Sequence, residues 1–366
     1  MKIIIFTIIA GIMLTGCSQS KDSPEVATAP PTVISVIDNR ADVQGGLQIN
    51  VQNVIRQESD NNASNDTASV PGNEETTSAA ADTATDDETA GQEVNETGEP
   101  DAAPDEVLSA VIPAYEAGDS LDVGLNPSWL YADHAAIASG TARLYRAGGN
   151  RKNVIIGVNA GHGTRGGQSV KTLCHPDGSP KLTGGTTASG SVKAAAVSGG
   201  MTFADGTSEA AVTLRCAQLF RDALLAKGYD VLMLRDGDDV QLDNVARTII
   251  ANNAANCLIS LHWDGDGLAY DKGCFYISVP EGLKAMEPVA SHWQQHESLG
   301  QALIGGLSAA GCKINGKGSM AIDLTQTSYS TIPSVDIELG NAASAHDDAT
   351  LSKLAAGMAD GVSRLF

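Results

Sequence analysis

The sequence predicts an α/β fold, a three-layer sandwich with a central, mostly parallel (mixed) sheet flanked by helices and preceded by a disordered tether. Three observations lead there. Short continuous apolar runs, of which Val154-Ile155-Ile156-Gly157-Val158 is the first, have the character of strands buried on both faces. Between these runs lie segments of helical period, and strands alternating with helices of this length build a layered sheet. Ahead of both, residues 18–104 contain no Phe, Trp or Tyr and carry 17 acidic against 3 basic side chains. Such a stretch lacks the apolar mass to offset its own ordering entropy.

Residues 1–17 place Lys2 before an apolar run that closes on Leu14-Thr15-Gly16-Cys17. The run is too short for a membrane span and reads as an export signal. Its last four residues resemble a bacterial lipobox, which implies a lipid-anchored, exported protein whose first mature residue is a lipidated Cys17. Residues 18–104 are then an acidic tether, extended by charge repulsion. Within it, residues 31–56 are weakly apolar and read either as irregular tether or as a short docking element. Residues 105–152 regain aromatics, among them Trp129, Tyr131 and Tyr145. They are expected to form an ordered lead-in packed on a catalytic domain at 153–366.

Within that domain the first strand is 154–158, and a Gly-, Ser- and Thr-rich section runs from 164 to 207. Ser208 caps a helix in which Val212, Cys216, Leu219, Ala223 and Leu224 share a face, and Gly228 stops it. Strands follow at 229–234, 257–262, 274–279 and 333–339, with helices at 243–255, 289–309 and 348–365. The net charge of −21, with no basic stripe, argues against nucleic acid as a partner, because phosphate binding needs Lys and Arg.

Working groups of open α/β sheets gather at the carboxyl ends of strands. Three strands here end in His162, His262 and Glu338, and Glu209 opens the helix after the long loop. Two imidazoles and one carboxylate suit a zinc site that keeps a fourth position open for water. Each residue also has a plainer reading. A single strand-end His serves as a hydrogen-bonded structural group, and Glu209 suits a helix's first turn. Glu338, between apolar Ile337 and Leu339 on a buried strand, needs a partner or a raised pKa. Glycines flanking His162 permit a tight turn and close approach to the backbone.

The order of these segments, VIIGVNAGHG at 154–163, SEAAVTLRCAQLFRDALLAKGYDVLMLR at 208–235, ARTIIANNAANCLISLHWD at 246–264 and PSVDIELGN at 333–341, resembles the zinc-dependent N-acetylmuramoyl-L-alanine amidases of the third amidase family. The resemblance implies His162, Glu209 and His262 as Zn2+ ligands and Glu338 as the acid/base residue. It further implies peptidoglycan as substrate, cut at the amide joining N-acetylmuramic acid to L-alanine. A monomer anchored to the membrane by lipid fits this reading. Arg247 and Asn252 match recurrent positions whose roles read as structural, Arg247 as an ion pair. The rival readings are a zinc peptidase cutting within the stem peptide and a non-catalytic peptidoglycan-binding lipoprotein.

The chain departs from the family in placing Glu209 47 positions after His162, farther than the family usually does. This insert is expected to be a lid or groove wall, the alternative being a solvated loop without a role. His175 sits beside Cys174 and is not expected to be a ligand. His292 and His296 share a helix face but lack the Glu of a His-Glu-x-x-His site, so they read as solvated or as a substrate rim. Trp263 and Trp293 offer either sugar-stacking surface or packing. Setting Cys17 aside, five cysteines remain, Cys174, Cys216, Cys257, Cys274 and Cys312. An odd number leaves at least one thiol free, the pairing of the others stays open, and Cys216 reads as a small buried apolar residue.

Overall fold

The computed structural model describes residues 120–366. The export signal with Cys17, the tether at 18–104 and residues 105–119 of the lead-in lie outside the described residues. The strands are β1 (Ser120–Gly124), β2 (Thr141–Tyr145), β3 (Ile155–Ala160), β4 (Lys171–Leu173), β5 (Lys193–Ala195), β6 (Asp230–Met233), β7 (Cys257–Asp264), β8 (Cys274–Ser278), β9 (Ile314–Ala321) and β10 (Ser334–Asn341). The helices are α1 (Glu209–Ala226), α2 (Asn244–Ala254), α3 (Val289–Ala309), α4 (Thr325–Tyr329) and α5 (Asp348–Val362). Eight strands form one sheet in the order β1-β2-β6-β3-β7-β10-β8-β9, and β4 pairs with β5 apart from it. The sheet is mixed: β6, β3, β7 and β10 run parallel, while β2 and β8 are antiparallel to their inner neighbours. This is the α/β layer fold the sequence predicts.

Local chemistry sets the helix ends. Ser208 Oγ accepts from Ala211 N and Asp243 accepts from Ala246 N, each satisfying a backbone donor that a first helical turn leaves open. Asp347 does the same for α5 through Ala349 N and Thr350 N. Gly228 leaves α1 in the left-handed region.

Side chains alternate across the strands and sort the core into two layers. Val158, Ile259, Leu261, Val335 and Ile337 pack with Phe220, Leu303 and Met358 of α1, α3 and α5. On the other face Leu232, Leu234 and Leu258 meet Ala246 and Ile250 of α2. Full burial of each large aliphatic side chain contributes about 1.5–3 kcal/mol. The polar members of β7 and β10 therefore share the α2 face. Parallel register sets Asp336 beside Ser260 and Glu338 beside His262.

The sequence reading passes over β1, β2, β4, β5, β9 and α4. Strand β9 carries two glycines, Gly316 and Gly318, and occupies an exposed sheet edge, so it shows neither an apolar run nor a clean alternation. Strands β1 and β2 join the opposite edge of the same sheet as an antiparallel pair. No helix among the described residues is long and apolar enough to cross a membrane.

Candidate metal centre

Three side chains converge where β3 and β7 end. His162 follows β3 on a left-handed turn with φ of 68° and is 6% exposed. Glu209 is the first residue of α1, where the helix dipole favours its charge. His262 stands on β7. Nε2 of His162 lies 2.8 Å from Oε1 of Glu209, and Nδ1 of His262 lies 3.2 Å and 3.3 Å from those two atoms.

The far side of the His162 ring is engaged: Nδ1 lies 2.9 Å from the Ser198 carbonyl and donates to it, so that in the neutral ring Nε2 presents a lone pair. Three electron-rich donors thus face one point. Tetrahedral zinc with bonds of about 2.0–2.1 Å needs donors about 3.3–3.4 Å apart. The observed separations are close to that, so the donor set and its spacing fit such an ion.

Glu209 is held from both sides. Its Oε2 accepts from Met201 N at 2.9 Å, and Oε1 accepts from Trp263 N at 3.0 Å. Burial acts to raise its pKa, but bonds and charge from His162 and His262 prevail and keep the carboxylate well below the usual range. For His262 burial acts downward, and Glu209, Asp336 and Glu338 outweigh it, taking the imidazole up to about 9. Glu338 goes the other way from Glu209. Burial pushes it up to about 8, opposed by His262 and reinforced by Glu209, Asp264 and Asp336. Its Oε2 is buried without a hydrogen-bond partner.

Two guanidiniums fasten the turn that bears His162. Arg247 donates to the His162 carbonyl at 2.7 Å, to Thr164 Oγ1 at 2.8 Å and to Asn159 Oδ1 at 3.0 Å. Arg235 bonds the carbonyls of Ala160, Gly161 and Ala210. The expected ion pair of Arg247 is thereby corrected: its hydrogen bonds go to carbonyl, amide and hydroxyl oxygens. Gly161 is required for a different reason from the turn. A Cβ there would lie 2.3 Å from Cε1 of His262. The left-handed residues are His162 itself and Gly163.

The insert is ordered and held at both ends. Its last stretch, 198–201, covers the His162 and Glu209 side chains, and Gly200 (φ 78°) has room for no Cβ against either. Further back, buried His175 lies 2.9 Å from Asp323 Oδ1 and 2.8 Å from Ser179 Oγ. Lys181 bonds the Asp323 carbonyl, and Leu182 N donates to Asp323 Oδ2 at 2.6 Å. Asp323 is the residue sequence reasoning missed. It stands between Ile322 and Leu324 with no pattern to mark it, and its partners lie about 140 positions away.

Other candidates fall elsewhere. His296 is buried and accepts from Ser334 N, which corrects its reading as solvated or rim-forming. His292 bonds the Pro288 carbonyl within its own helix. Trp263 is 2% exposed and packs edge-on to Phe203, so it is core. Lys284 lies 4.0 Å over the Trp293 ring. Asn252 ties α2 to the segment after α4 through Tyr329 O and Thr331 N. All five cysteines of the described residues are free thiols, and Cys216 is fully buried.

The fold and site define an α/β protein with a His/Glu/His cluster, able to hold a cation, at the carboxyl ends of its parallel strands. The family model for N-acetylmuramoyl-L-alanine amidase (Amidase_3) matches residues 156–364, more than half of the chain, and the chain belongs to this family. No curated protein sequence matches it. Among solved structures, the N-acetylmuramyl-L-alanine amidase Ami1 of Mycobacterium smegmatis is similar at 19% identity and a TM-score of 0.49, covering 59% of this chain and 98% of its own. Ami1 of Mycobacterium abscessus shows 21% identity and a TM-score of 0.46, over 58% of this chain and 98% of its own. The CwlD amidase of Clostridioides difficile, solved in complex with the GerS lipoprotein, shows 18% identity and a TM-score of 0.42, over 58% and 98%.

Proposed function

We propose that this protein is a zinc-dependent N-acetylmuramoyl-L-alanine amidase that hydrolyses the amide between N-acetylmuramic acid and L-alanine in peptidoglycan. The observation that carries the reading is the convergence of His162, Glu209 and His262 within 3.3 Å, with Glu338 beside His262 on the neighbouring strand. Zinc held by these donors supplies Lewis acidity, which acidifies water and polarises an amide carbonyl. His162 and His262 serve as neutral imidazole donors, and Glu209 brings the charge that a dication needs in a buried place. Glu338 takes the proton of the attacking water and returns it to the departing nitrogen, a base-then-acid sequence. Its unpartnered Oε2 is free for that transfer. The insert forms a wall of the site through 198–201.

The export signal and Cys17 support an exported protein, lipid-anchored in the cell envelope, with the acidic segment reaching toward the wall. The test is digestion of purified sacculi with and without a chelator, followed by mass spectrometry of the products. Intact stem peptides and unsubstituted muramic acid, lost with the chelator and restored by zinc, are the expected result. Fragmented stem peptides would instead identify a peptidase, and no products at all a binding protein.

A further inference from the structure

The ring of His262 has two nitrogens, and only Nδ1 is engaged with His162 and Glu209. Nε2 faces Oδ2 of Asp336 at 3.8 Å, an ion-pair separation rather than a hydrogen bond. Asp336 is 5% exposed, and its Oδ1 is buried without a hydrogen-bond partner. A carboxylate in such a place calls for a nearby positive or proton-bearing group. The groups facing it are His262 and Ser260 of β7, His162 after β3, and Lys181 of the insert. Lys181 is itself engaged by Asp323.

Ser260 is the carboxylate's neighbour on β7. Its Oγ accepts from Asn159 Nδ2 at 3.2 Å and from Gln326 Nε2 at 3.4 Å, which leaves its own proton to point elsewhere, and strand register sets Asp336 beside it. Asn159 in turn accepts from Arg247. A buried polar chain therefore runs from Arg247, which also grips the His162 carbonyl, through Asn159 and Ser260 to Asp336. Gly161 lies against the His262 ring, where a Cβ would fall 2.3 Å from Cε1 of His262.

We propose that Asp336 is a positioning residue for His262, selecting the tautomer that carries its proton on Nε2 and turns the Nδ1 lone pair to the cation. The inference rests on the metal reading above. It makes the two imidazole donors unequal, since His162 has a neutral carbonyl behind it and His262 a carboxylate. A buried aspartate serving only to fill the sheet would influence zinc no more through His262 than through any other donor.

Zinc affinity of the full chain, measured by competition with a chromogenic chelator, separates these. Asp336→Asn is expected to weaken zinc binding by about 10–100-fold. Asp336→Leu, a second variant without the charge, should do the same and covers a failure of the first to fold, each being checked by thermal melting. In a His262→Ala background, Asp336→Asn should change the weakened affinity by less than about twofold, because the coupling partner is gone. Affinity within about twofold of the unsubstituted chain in a folded single variant overturns the proposal and leaves the metal reading standing. So does an effect that persists undiminished in the His262→Ala background. Absence of zinc binding by the unsubstituted chain overturns both.

Discussion

His162 stands on a left-handed turn, gripped by Arg247 and Arg235 from below and covered by the insert from above. His262 stands on a regular strand whose register brings Glu338 alongside and Asp336 two residues behind. The first donor is held by backbone geometry and needs many partners, because a non-glycine residue at positive φ costs of order 1 kcal/mol or more. The second is pointed at the site by alternation along β7, and its ring is then set by the side chains that face it. The comparison teaches that one His/Glu/His cluster can combine a costly, heavily braced side chain with one carried by a regular strand.

The largest expected effects treat the two alike. His162→Ala and His262→Ala should each weaken zinc binding more than any other substitution and abolish release of peptide from sacculi, as measured by chelator competition and product yield. Glu338→Ala should slow turnover by roughly 10²–10⁴-fold while zinc stays bound. Zinc loss in that variant would mean that the donor set is wrongly assigned. Bracing separates the sides. Arg247→Met leaves the buried carbonyl of His162 and the Asn159 amide short of a donor, which predicts a loss of roughly 2–4 kcal/mol in chemical denaturation together with weaker zinc binding. Gly161→Ala acts on the His262 side instead, pressing a methyl into the ring. It should weaken zinc by about 10–100-fold with a smaller change in melting temperature. Equal damage to stability from both would erase the distinction.

The last effect lies away from the cluster and shows only as a slope with pH. Burial and nearby His292 hold His296 down at about 3, against about 6.5 when unfolded. Between those values the unfolded chain binds the extra proton, so stability falls as pH falls from about 6.5 toward 3, by up to about 1.4 kcal/mol per pH unit. His296→Gln should flatten that slope by one proton in melts run across the window.

What the sequence discloses follows the same division. His262 and Glu338 are legible because strand ends and period two mark them, and α1, α2, α3 and α5 show their caps or faces. The pairing of Ser260 with Asp336 is not, since it requires the register of two strands more than 70 positions apart. Asp323 and the bracing of His162 are hidden for a related reason: a carbonyl or lone carboxylate acquires its role only from what folds onto it. Arg247 reads as an ion pair when charge is the only guide, yet backbone oxygens satisfy it. His296 reads as solvated because helical spacing says nothing about which face a sheet will cover.

The five thiols of the described residues are all reduced, and only Cys312 is even partly exposed. No covalent staple joins the layers among the described residues. Cys312, at the edge of the sheet just before β9, is then a ready attachment point for a spectroscopic label, the other four being closed off by the core.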